Sequence, residues 1–183
     1  MGRSERDAVH RLAHMEAGPI PKQPPTIGWR EWAALPDLGI GAIKAKVDTG
    51  ARTSALHAYK IAPFRRAGAL WVRFELHPLQ RSDAMKVACE ARAIDERTVR
   101  NSGGGVEHRY IIETRLQLGD RIWPIELALA NRDQMGFRML LGRTALEHRV
   151  LVEPGRSYLL GTRRALPRKS RKLAPLKAGK LPR

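Results

Sequence analysis

The run Asp48-Thr49-Gly50-Ala51, within KAKVDTGARTSALHA at residues 44–58, sets a carboxylate at the end of a short apolar stretch, next to a hydroxyl, a glycine and a small side chain. A carboxylate in that setting has two readings. Asp is common at strand ends because its short side chain bonds neighbouring backbone N–H groups, and a lone Asp-Thr-Gly is most often a turn of this kind. The other reading is a catalytic carboxylate that moves a proton in a reaction. Three features favour it. The Asp closes the apolar run AIKAKV and is followed closely by the small Ala51. A glycine-rich stretch, NSGGG at residues 101–105, sits midway along the chain, and MLLGRTAL at residues 139–146 then adds bulky apolar residues, a glycine and a short helical pattern.

The elements that must position these residues read as short strands separated by turn signals. The expected strands are GAIKAKVD, ALWVRFELH, KVACEARAI, HRYIIETRLQLG, RIWPIELALA, RMLLG, RVLVEP and SYLLG, with a helical turn at RTALEHR. Leu70, Val72, Phe74 and Leu76 alternate with Trp71, Arg73, Glu75 and His77. That period of two is the signature of a half-buried strand. Consecutive glycines in NSGGG suit a hairpin turn, whereas a phosphate-cradling loop would need a following Gly-Lys-Ser/Thr and a helix. The fold class expected is all-β with one short C-terminal helix.

The order of Asp-Thr-Gly, glycine-bearing hairpin and LLG before a short helix resembles that of the retropepsin-like aspartic peptidases. The chain is most similar to the bacterial group catalogued as "ATP-dependent zinc proteases", often encoded beside glutamate ligases that modify ribosomal protein. The resemblance spans residues 27–161. It implies a closed barrel of the acid-protease type, with Asp48 as the catalytic aspartate, Thr49 bracing paired active-site loops through its hydroxyl, and Gly50 letting backbone approach the carboxylate. Ala51 belongs to the same loop. Leu141 and Gly142 match the apolar strand and glycine that pack beside it, and Arg143 an arginine of structural role. The NSGGG hairpin, with Gly103 and Gly104, matches the flap that closes over substrate.

Chemistry of this kind needs two carboxylates sharing one proton: one draws a proton from water while the other polarises the scissile carbonyl. The chain has a single Asp-Thr-Gly, since neither Asp95 nor Asp120 is followed by Thr/Ser-Gly. A peptidase reading therefore requires a homodimer with one Asp48 from each subunit. Arg52 stands where many relatives carry an acid that pairs with the later arginine, so Arg143 must find another partner in Glu147 or a backbone carbonyl. A more positive substrate-facing end also points to acidic peptides.

Other chemistries find little support. HRLAH at residues 10–14 has zincin spacing but Arg11 where the glutamate base belongs. The remaining histidines are scattered, so neither a metal nor a cofactor is expected. There is no Walker A motif to support ATP dependence and no Gly-x-Ser-x-Gly, and Cys89 in VACEA reads as a small buried hydrophobe.

At 183 residues and 43% apolar composition the chain has room for one ordinary core. The expected division is a flexible leader at 1–26, a peptidase domain at 27–162 and a disordered basic tail at 163–183. The net charge is +16, and the tail alone holds nine Lys or Arg and no acid, which leaves 25 bases against 18 acids, or +7, for the rest. Tails of this composition bind RNA, ribosomes or acidic surfaces through counterion release, or simply aid solubility. A second reading thus keeps the fold and makes the protein a peptide- or ribosome-binding adaptor. No signal-peptide core or membrane-length apolar run is evident, and one cysteine suits a reducing compartment, so a cytoplasmic location is expected.

Overall fold

The computed structural model describes residues 23–79, 85–100, 106–131 and 136–161. The strands run in chain order as β1 (Thr26–Gly28), β2 (Arg30–Leu35), β3 (Ile40–Val47), β4 (Ser54–His57), β5 (Tyr59–Arg66), β6 (Ala69–Leu76), β7 (Val87–Arg100), β8 (Val106–Leu118), β9 (Arg121–Ala130), β10 (Met139–Leu141) and β11 (Leu151–Glu153). A 3-10 turn at Pro36–Leu38 and one short helix, α1 (Arg143–Leu146), complete the described elements.

Six strands close on themselves in the order β2-β3-β10-β4-β9-β8, because β8 pairs back onto β2 at Ala33↔Leu118 and Ala34↔Gln117. The chain is thus nearly all-β around a closed barrel, as the sequence led us to expect. Strands β7, β6 and β5 continue outward from β8, and β1 pairs with β11 in a separate two-stranded parallel sheet. Packing explains the apolar character of the central strands. Leu127 to Ala130 in β9 and all of β10 are buried, as expected of strands covered on both faces. β6 behaves as its alternation requires, with Val72, Phe74 and Leu76 fully buried and Arg73 exposed.

Strands β1, β2, β4 and β5 are not among those expected from the sequence, and an expected strand at SYLLG is absent; two of these departures have clear causes. SYLLG at 157–161 is not a strand, because its backbone donors are taken up elsewhere. Tyr158 N–H bonds the carbonyl of Arg30, and the N–H groups of Leu159 and Leu160 bond the fully buried Glu31 carboxylate, which also accepts from Gly28. β5, conversely, is a strand despite Pro63. It lies at the end of the sheet order with β6 as its neighbour, and an edge position tolerates a missing N–H.

Candidate active site

β3 leads directly into the Asp-Thr-Gly loop. At its end Val47 N–H bonds the carbonyl of Trp29 and Asp48 N–H bonds that of Leu141, each at 2.9 Å. The second of these bonds fastens the loop to β10, which pairs in parallel with β3 from Met139↔Ala45 to Leu141↔Val47. Asp48 itself is half-buried, and Thr49 and Gly50 are exposed.

The loop curls around its own carboxylate. Asp48 Oδ1 accepts from the N–H groups of Gly50 and Ala51, both at 3.2 Å. No donor among the described residues is placed on Oδ2. A Cβ at Gly50 would stand 3.3 Å from Oδ1, so a larger residue there would have to push against the carboxylate that its own N–H supports.

Residues 142–144 hold the loop from outside. Arg143 Nη1 donates to the carbonyls of Thr49 at 2.8 Å and Gly50 at 3.1 Å, while its backbone N–H reaches Ala51 O at 2.9 Å. The partner expected for Arg143 was Glu147 or a backbone carbonyl, and these bonds are to carbonyls. Thr144 donates to Arg52 O from both its N–H and its hydroxyl. Gly142 lies against the far end of the loop, where a Cβ would come within 2.8 Å of Thr53 and Arg52 backbone atoms, and its N–H bonds Ser54 Oγ at 3.1 Å. Leu141 is fully buried in the core, and the indole of Trp123 on β9 ties α1 down through Ala145 O.

Thus Asp48, Thr49, Gly50, Ala51, Gly142 and Arg143 meet in one backbone-bonded unit. Arg52 is exposed beside it, whereas Gly103 and Gly104 lie outside the described residues. β7 and β8 do pair up to Arg100↔Val106, on either side of residues 101–105. Sequence reasoning missed Ser54, Thr144, Thr53 and Arg97. The guanidinium of Arg97 on β7 reaches Thr53 Oγ1 at 3.2 Å, Asp95 at 2.7 Å and Glu126 on β9 at 3.0 Å. Ser54 carried a faint signal as a hydroxyl directly before the apolar pair Ala55-Leu56, but Arg97 carried none.

Beside the loop, Arg97 forms ion pairs with Asp95 and Glu126. The Arg97 hydrogen bond, aided by the Glu96 N–H, holds the Asp95 carboxyl below its ordinary range. Cys89 is buried, with its Sγ against Leu38 O, and burial pushes the thiol pKa up to about 12, far from an activated thiolate. Among the described residues no three His, Cys, Asp or Glu side chains converge to hold a metal ion. The zinc of the group's catalogue name therefore has no ligand set among these residues. Also among the described residues, no helix is long and apolar enough to cross a membrane.

A crystal structure of a Legionella pneumophila protein of unknown function shares the fold with a TM-score of 0.64 at 24% identity, over 75% of this chain and 99% of that one. A Shewanella halifaxensis protein named "Probable alpha-L-glutamate ligase" is 53% identical over 135 residues, 74% of this chain but 30% of its own length. A Parasynechococcus marenigrum protein of the same name is also 53% identical, over 29% of its length. The chain therefore spans less than a third of these curated relatives. Residues 26–163 match the family described as "Retropepsin-like aspartic endopeptidase RimB". With the match covering most of the chain, the protein belongs to the RimB-like family of retropepsin-like aspartic endopeptidases.

Proposed function

We propose that the protein hydrolyses peptide bonds as a homodimeric aspartic endopeptidase, with Asp48 of each subunit forming the dyad. The observation that carries this reading is the Asp48 loop, which directs two backbone N–H groups onto Oδ1 and presents Thr49 and Gly50 at the surface. These bonds fix the orientation of the carboxylate, and in an aspartate dyad the ionised member draws a proton from water. When two such carboxylates meet, like charge keeps one of them protonated, and that one polarises the scissile carbonyl. The loop itself contributes a single carboxylate, so the second must come from another copy of the chain.

The substrate proposed is an acidic, glutamate-rich peptide. Exposed Arg52 beside the loop supports it, as does the similarity to proteins named for glutamate ligation. The test uses a fluorogenic glutamate-rich peptide. Asp48→Asn should lower cleavage by about 10³-fold or more while leaving the circular dichroism unchanged. Mixing excess Asp48→Asn protein into the wild type should also reduce activity, because mixed dimers lack one carboxylate. Undiminished cleavage by the variant ends the catalytic reading, and a mixture that retains full activity ends the dimeric one. Equal cleavage of acidic and neutral peptides removes the substrate preference.

A second reading, an adaptor anchored to RNA or the ribosome, is favoured by one observation: the nine bases and no acid in residues 163–183.

A further inference from the structure

Arg97 belongs to none of the segments that carry or clamp Asp48, yet it reaches them. Its side chain uses all three guanidinium nitrogens on three different segments. Nη1 donates to Thr53 Oγ1 at the end of the Asp48 loop, Nη2 to Glu126 on β9, and Nε to Asp95 on its own strand. Thr53 in turn is the residue whose backbone lies against Gly142, where even a methyl group has no room. The Arg97 bond therefore ends on the side-chain hydroxyl of a residue whose backbone is packed against Gly142.

The position is an unfavourable one for a casual surface arginine. Arg97 pairs across the ladder with Arg109, and like charges directly opposite repel. Each is neutralised separately, Arg109 by two bonds to Glu107 and Arg97 by Asp95 and Glu126. With two carboxylates around one guanidinium, Arg97 is not a spare cation awaiting an acidic substrate side chain. What its planar fork supplies is fixed relative orientation of the groups that it joins, which a lysine ammonium does not supply.

We propose that Arg97 is a positioning residue that locks β7 to the Asp48 loop, so that the strand and the loop hold a peptide as one mechanical unit. The kinetic consequence rests on the peptidase reading above, but the mechanical one does not. In the full chain, Arg97→Ala should speed amide hydrogen exchange in residues 48–53 and 93–100 together, with β10 unchanged. On the glutamate-rich peptide, KM should rise about tenfold while kcat changes less than about threefold, the pattern of lost binding rather than lost chemistry. Arg97→Lys should restore only part of this. Thr53→Val, a change that keeps shape, should act in the same direction, and adding it to Arg97→Ala should have no further effect, since the two share one interaction. Exchange that quickens in only one segment, or in neither, overturns the proposal. So does a wild-type KM in an active Arg97→Ala enzyme. If the wild type itself cleaves nothing, the peptidase reading fails and the exchange experiment still decides the role of Arg97.

Discussion

Gly142 illustrates how much of this site is a matter of single atoms. It leads into α1, and the absence of its side chain lets β10 and the helix start press against the backbone of Arg52 and Thr53. Adding one carbon would force backbone apart, since the nearest atoms, at 2.6 to 2.8 Å, are main-chain atoms that cannot rotate away. Gly142→Ala is therefore expected to destabilise the fold by about 1–3 kcal/mol, the usual range for overpacking. Urea denaturation at constant m-value would measure it. A variant as stable as the parent would mean that the loop shifts freely, contrary to the bonds that Arg143 and Thr144 make to it.

At the scale of elements, the 3-10 turn between β2 and β3 is bound to β8 by a charge pair. Asp37 accepts from the Arg115 backbone N–H and from its Nε, both at 2.8 Å, and also from Nη2. Burial alone would raise the Asp37 carboxyl, but the side-chain and backbone hydrogen bonds from Arg115 outweigh it and the net shift is downward. A carboxyl whose folded pKa is depressed contributes stability above its unfolded value and loses it as pH falls through the folded one. Wild-type stability should therefore decline in that acid window, and Asp37→Asn should flatten the decline while lowering stability at neutral pH. Thermal melts across pH 2 to 7, a range chosen to span about the whole carboxylate region, would check it. An Asp37→Asn profile parallel to that of the wild type would assign the decline to other carboxylates.

For the whole molecule, the uneven charge is the main feature that the barrel does not use. Deleting residues 163–183 removes nine of 34 bases and should weaken RNA or ribosome association. The slope of log K against log salt should also flatten, because fewer counterions are released. Filter binding at several salt concentrations would measure both, and cleavage should be spared. Association that survives the deletion with the same slope would place the anchor in the barrel and remove the case for an adaptor tail.

What could be read from the sequence was local. The alternation in β6, the apolar β9 and β10, the short helix after Gly142 and the Asp-Thr-Gly turn all depend on residues that are near neighbours in the chain. Their period or turn chemistry is thus written in order. With the family resemblance, this was enough for an all-β barrel carrying Asp48 on one of its loops. Where the pattern was weak or ambiguous, only the fold decided. Pro63 is acceptable because β5 is at a sheet edge, and SYLLG is not a strand because Glu31, 128 residues before Leu159, takes its amides. The clamp on the loop likewise joins Arg143 to Thr49 across 94 residues, and Arg97 meets Thr53 across 44. Such hydrogen bonds have no sequence period, since a guanidinium reports only what it can donate, and closure of the barrel determines which oxygens come within its reach.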